Sequence, residues 1–248
     1  MRVDRVRSAL APSPAQQRAD APPRVALALG MAGALGEELL ALLIADSAYR
    51  QVVVGVTQPL GSATARFSPW VVGQGLPVVD EAWICLTGDE TFVPSASPIR
   101  RVADSDLLEA ARTARACGAR TLVVIAPLAA LLQMNAATRT AASADEIALV
   151  EMGFDRLVIV RPTAADVDAA GASLPVRLVR SAARAVADIM LPQYARALSA
   201  KSAARAIVTA VNDPAQPVGA VTVLGARELL ELIEKRLPQL KPKAERLR

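Results

Sequence analysis

The sequence predicts an α/β protein: a doubly wound parallel sheet with a small C-terminal cap. Three observations carry this reading. Short, nearly continuous apolar runs at 25–29, 51–56, 82–86, 121–126 and 156–160 read as strands covered on both faces. Segments with helical spacing alternate with them, giving the β-α-β-α order from which parallel sheets are built. Gly30, Gly33 and Gly36 fall three apart between the first strand and the first helix, the place where an α/β fold makes a tight turn.

The elements follow in order. Residues 1–23 mix Arg, Ala, Pro, Gln and Asp without periodicity and read as a mobile leader. The first strand is 25–29 and the first helix about 34–45. The run Val52-Val53-Val54-Gly55-Val56 is a second buried strand, followed by a loop with Pro59 and Gly61. A short strand near 70–72 comes next, then an apolar strand at 82–86, then a loop at 90–98. Residues 104–116 have helical spacing, with Leu107, Leu108 and Ala111 on one side and Gly118 as the stop. The strongest strand, Leu122-Val123-Val124-Ile125, precedes a long helix at 138–152 and the strand 156–160. Beyond Pro162 the pattern changes: helices at 176–191 and 199–211, a short strand at 218–224 and an amphipathic helix at 226–237. These later elements, from about 164, read as a cap over the carboxyl edge of the sheet. The expected organisation is a single domain over 24–237 with a charged tail at 238–248.

Composition narrows the function classes. The chain has 248 residues, 53% of them hydrophobic, enough for one large core. Aromatics are 3% and the net charge of +4 is dispersed, which argues against stacking platforms or a basic stripe for nucleic acid. The sequence contains no histidine. His-ligated metals and Ser-His or Cys-His nucleophiles are therefore excluded, and a catalytic base would be a carboxylate, Tyr, Lys or water. Two cysteines, Cys85 and Cys117, lack metal-ligand spacing and suit a reducing cytoplasm. No apolar run reaches the roughly 18 residues of a membrane span, and no apolar stretch of a signal peptide follows the early arginines.

The glycine pattern Gly-x-x-Gly-x-x-Gly supports a phosphate site. Glycines let the backbone approach closely, and the N–H groups and dipole at a helix start favour negative charge. On this reading Gly30, Ala32, Gly33, Ala34, Leu35 and Gly36 cradle the pyrophosphate of a dinucleotide. The end of the second strand should carry an acid for ribose hydroxyls or an Arg for a 2′-phosphate. It reads Gly55-Val56-Thr57-Gln58 instead, so Thr57 is the expected ribose contact. Arg66, the nearest loop cation, reads as a solvated residue. Leu86-Thr87-Gly88 is placed to run along the pyrophosphate and nicotinamide ribose.

The run from Val25 through Gly36 resembles the entry to the extended and atypical short-chain dehydrogenase/reductases. Three further stretches fall in the same order. Asp80 through Gly88 is similar to the family's fourth strand and its loop. Val102 through Ala119 is similar to the following helix, and Met152 through Pro162 to the strand ending in Arg-Pro beside the active site. The resemblance covers about 24–211 and is nearest to small, epimerase-like NAD(P)H-binding proteins. It implies a Rossmann-type fold and NAD or NADP as cofactor, the two not being distinguished. It also implies a Tyr and a Lys four residues on, with a Ser after the preceding strand. Those positions fall on Thr138, on Ala142 and on Ala126 or Pro127, and no Tyr or Lys occurs between Gly118 and Gly153. Tyr194 and Lys201 belong to the cap region, with a different spacing. No catalytic residue is therefore assigned.

The expected function is dinucleotide binding without ordinary carbonyl reduction, as a cofactor sensor or a partner subunit, with a protein partner or homodimer as the associate. An active NAD(P)H-dependent oxidoreductase with a non-standard site is the alternative. A structural Rossmann remnant that binds another protein is the second. Nucleic acid and membrane are not expected partners.

Overall fold

Seven strands form one sheet in the order β3-β2-β1-β4-β5-β6-β7, every neighbouring pair parallel. The computed structural model describes residues 22–61, 64–86, 97–126, 144–161, 199–212 and 221–236. The strands are β1 (Arg24–Leu29), β2 (Tyr49–Val56), β3 (Phe67–Val71), β4 (Glu81–Cys85), β5 (Thr121–Ile125), β6 (Arg156–Val160) and β7 (Val221–Leu224). The helices are α1 (Gly33–Ala45), α2 (Leu107–Ala116), α3 (Ala144–Glu151), α4 (Ala200–Val211) and α5 (Ala226–Arg236). This is the doubly wound, Rossmann-type α/β fold.

The strands are apolar throughout because both faces are covered. Alternate residues go to opposite sides, as strand geometry requires. Ala26, Ala28, Val52, Val54, Trp83, Val123 and Val158 join one core with α1, α4 and α5. Val25, Leu27, Val53, Ile84, Leu122 and Leu157 join the other with α2 and α3. Helix α1 buries Gly36, Leu39, Leu40 and Leu43, one stripe at helical spacing. Helix α4 packs in the same layer through Ala203, Ala204, Ala206 and Ala210, small residues that let helices approach closely. Asn212 Nδ2, just past its end, donates to Asp46 Oδ2 at 3.3 Å.

Several expected boundaries shift by a residue or more. The weak strand expected at 70–72 is β3, and Pro69 within it is tolerated because β3 is an edge strand. Gly118 ends α2 with φ +92°. A 3₁₀ turn at Asp104–Asp106 begins the helix expected from 104. Of the stretch read as a cap, α4 lies against the sheet, β7 is its seventh strand and α5 covers it. The rest of the cap expectation, with the helix at 176–191, falls on residues 162–198, outside the described residues. Residues 1–21 of the leader, the tail at 238–248 and the first part of the helix at 138–152 also lie outside them.

The amino edge of the sheet holds a buried polar cluster that the sequence reading did not single out. Glu81, 1% exposed at the start of β4, accepts from Tyr49 Oη at 2.8 Å and Trp83 Nε1 at 2.7 Å. It also accepts from the Arg24 guanidinium, which completes an ion pair. Arg24 lies over the Tyr49 ring, 4.9 Å from its centroid. Burial alone would lower the Arg24 pKa, but the Glu81 carboxylate and its neighbours more than offset this, and the guanidinium stays charged. Burial, then the Glu81 charge, raises the Tyr49 phenol well above its usual value, so it remains a donor. Four residues on β1, β2 and β4 thus lock the central strands in register.

Candidate functional site

The carboxyl edge of the sheet is where β1 ends and the strand order reverses, β2 lying on one side of β1 and β4 on the other. Ligands of open α/β folds bind at such a switch point. Gly30 turns the chain out of β1 with φ +70°, and Gly33 follows with φ +83°. A Cβ on Gly30 would lie 2.1 Å from the Cys85 carbonyl oxygen, so the turn is pressed against the end of β4. A Cβ on Gly36 would meet the Met31 backbone at 2.6 Å, so α1 folds back onto its own turn. Each glycine is therefore required by a close approach, at the first and third positions of the motif.

The turn delivers α1 with its positive end open. Ala32, the N-cap, offers no side-chain acceptor, and no acidic residue lies in the first turn. The first N–H groups of a helix have no partner within it, so this start can accept an anion. Met31 and Ala32 are buried, while Gly33, Ala34 and Leu35 are partly exposed. The second expected cradle begins at Leu86, whose amide donates to Ile125 O at 2.8 Å; Thr87 and Gly88 lie outside the described residues.

The end of β2 carries a further segment. A strap at residues 97–102 pairs with the strand. Ile99 bridges Val56 in antiparallel fashion. The Thr57 amide donates to Pro98 O at 2.9 Å, and its hydroxyl to the same oxygen at 3.2 Å. The Arg100 amide donates to Gly55 O at 3.0 Å. The Thr57 hydroxyl proton, read from sequence as a ribose contact, is thus directed at the strap. Val102, at its far end, would lie 3.3 Å from a Cβ on Gly30. The strap therefore reaches from the end of β2 to the glycine turn. Beside it opens a cleft lined by Leu29, Val72, Arg100, Arg101, Asp106 and Glu109. Sequence reasoning missed the strap, because irregular pairing leaves no periodic signal; the adjacent arginines at 100 and 101 were the available clue. Arg66 is not solvated in the way expected. It donates to Tyr49 O at 2.8 Å and to Asp46 O, at the opposite edge of the sheet.

The positions that the resemblance assigned to proton transfer are mostly outside the described residues: Pro127, Thr138 and Ala142; Tyr194 of the expected cap lies outside them too. Ala126 closes β5 and its amide donates to Val160 O at 2.9 Å. Lys201 is exposed in the first turn of α4. Asp145 is exposed on α3. Among the described residues, no group of His, Cys, Asp and Glu could hold a metal ion, and no helix is long and apolar enough to cross a membrane.

Cys85, under the glycine turn, is a buried thiol with its pKa pushed up to about 12 by desolvation. The unfolded thiol ionises near 8.5. Its contribution to stability is therefore complete below about pH 8.5 and is lost as pH rises toward 12. We expect Cys85→Ala to remove a slope of about 1.4 kcal/mol per pH unit above pH 9. Urea midpoints at pH 8, 9 and 10 measure this; parallel slopes for the two proteins would mean an accessible thiol.

No family model matches the chain, and no curated protein matches it. Solved structures resemble it at low identity. A short-chain dehydrogenase family protein from Francisella tularensis is 13% identical, with TM-score 0.45, over 84% of this chain and all of that one. A nucleoside-diphosphate-sugar epimerase from Staphylococcus aureus is 14% identical, with TM-score 0.44, over 81% of this chain and 70% of that one. An oxidoreductase of the short-chain dehydrogenase/reductase family from Burkholderia thailandensis is 15% identical, with TM-score 0.43, over 88% of this chain and 98% of that one. At such values the strand order and the turn geometry of this chain carry the functional reading.

Proposed function

We propose that this chain binds a nicotinamide dinucleotide across its glycine turn and does not carry out ordinary carbonyl reduction. It would serve as a cofactor sensor or as the cofactor-holding partner of another subunit. The observation that carries the reading is the start of α1. It is left open by its N-cap, set behind two glycines with positive φ, and placed where the strand order reverses. Gly30, Ala32, Gly33, Ala34, Leu35 and Gly36 would hold the pyrophosphate, and Leu86, Thr87 and Gly88 the nicotinamide half. The bound cofactor would supply hydride chemistry; this chain's residues would bind and orient it.

The absence of a Tyr or Lys between Gly118 and Gly153 supports the second half of the reading. An aliphatic hydroxyl such as Thr138 titrates too high to pass a proton as a tyrosine does. Melting of the full chain with NADH or NADPH tests the proposal. At about one hundred times Kd, either nucleotide should raise Tm by about 5 °C or more. No shift with either at millimolar concentration would refute binding. Turnover of bound NADPH by quinones or flavin would instead favour an active oxidoreductase.

A further inference from the structure

We propose that Arg100 reads a phosphate on the adenosine ribose, so that this chain takes the 2′-phosphorylated dinucleotide, NADP, in preference to NAD. The inference rests on the dinucleotide reading above and concerns a residue outside the glycine motif. Selection between the two cofactors normally falls to the end of β2, where an acid accepts the ribose hydroxyls or an arginine meets the phosphate. Here that strand ends in Gly55-Val56-Thr57-Gln58, with neither group. Arg66, the nearest cation in sequence, is engaged by backbone carbonyls at the other edge of the sheet.

The strap supplies what β2 lacks. Its backbone is fixed at three points: Pro98 against Thr57, Arg100 against Gly55, and Val102 against the Gly30 turn. Arg100 therefore sits between the end of β2 and the place where the pyrophosphate would lie. That interval is where the ribose linking the two would sit. Arg100 lines the cleft that opens there, with Leu29 at the end of β1 and Val72 just past β3. The residue is half-buried and held by its own amide, so the guanidinium starts from a fixed root, which reduces the entropy lost on binding. Guanidinium matches phosphate geometry with two parallel hydrogen bonds. Asp106 and Glu109 line the same cleft from the turn before α2 and from α2 itself. No carboxylate stands at the end of β2 itself, which reads Gly55-Val56-Thr57-Gln58.

Calorimetric titration of the full chain with NADPH and NADH tests this. Adenosine 2′,5′-bisphosphate and 5′-AMP, which differ only in the 2′-phosphate, provide a second pair. The wild type should bind the phosphorylated member of each pair about tenfold tighter or better. Arg100→Ala should weaken that member about tenfold and close the gap, while Arg100→Lys should keep part of it. The strap is anchored through the Arg100 backbone, so urea midpoints should stay within the range of a surface change. Equal binding of the two members, tighter binding of NADH, or a gap that survives Arg100→Ala overturns the inference and leaves dinucleotide binding standing. Failure of every nucleotide to bind overturns both. Should Arg100→Ala not fold, the wild-type pairs still decide.

Discussion

Gly30→Ala is expected to destabilise the chain by about 4 kcal/mol or more, at the upper end of single substitutions. Two effects add. The backbone at Gly30 has φ +70°, which costs an L residue roughly 1–2 kcal/mol. The new Cβ would also lie 2.1 Å from the Cys85 carbonyl oxygen, a backbone atom of a central strand that cannot move without disturbing β4. Gly73→Ala is the control. Gly73 has φ +98° but nothing within 4 Å of its Cβ position, so only the conformational part, roughly 1–2 kcal/mol, should appear. Urea unfolding of both variants separates the terms. Equal losses would mean that β4 yields to the added methyl group. Any dinucleotide affinity should vanish in Gly30→Ala, because the turn that aims α1 is the element displaced.

Glu81→Ala should cost about 3–5 kcal/mol, the range for breaking a buried ion pair by removing one partner. The loss would leave the Tyr49 hydroxyl, the Trp83 indole N–H and the Arg24 guanidinium without the acceptor they share. The two buried donors, the Tyr49 hydroxyl and the Trp83 N–H, each carry a desolvation penalty, while the half-exposed Arg24 guanidinium turns to water. Tyr49→Phe removes one donor and keeps the carboxylate, so it should cost only about 1 kcal/mol. The double variant measures the coupling: losses well short of additive are expected, since one carboxylate serves all three donors. A loss below about 1 kcal/mol for Glu81→Ala would show that the cluster sets register without stabilising the fold.

The parts of this fold legible in the sequence were those governed by burial. Strands such as 122–125 are apolar on both faces because helices cover both, so length and apolarity alone placed them. Gly30 and Gly36 were legible for a different reason: each is the only residue type that fits the observed approach of backbone to backbone. The strap was not legible. Its pairing with β2 uses two main-chain amides and one hydroxyl, and main-chain groups are the same for every sequence. Thr57 illustrates the consequence, since its hydroxyl could be named but not its partner. Arg66 and Arg100 illustrate it again. Both are loop arginines by sequence, and only tertiary placement sends one to the amino edge and the other to the cleft. The Glu81 cluster was hidden likewise, because a lone acid at a strand start reads as a solvated end.

The central position of β1 has a consequence for how the chain is made. One edge of β1 is taken by β2, which follows soon after it, and the other by β4. The Val25 amide donates to Asp80, 55 residues further along. During synthesis the β1–β2 pair must therefore wait, with an apolar edge unpaired, until β4 has left the ribosome. An edge of that kind is a template for wrong partners. The pair of charged residues at the β1 and β4 starts, Arg24 and Glu81, would admit the right strand and disfavour an uncharged one.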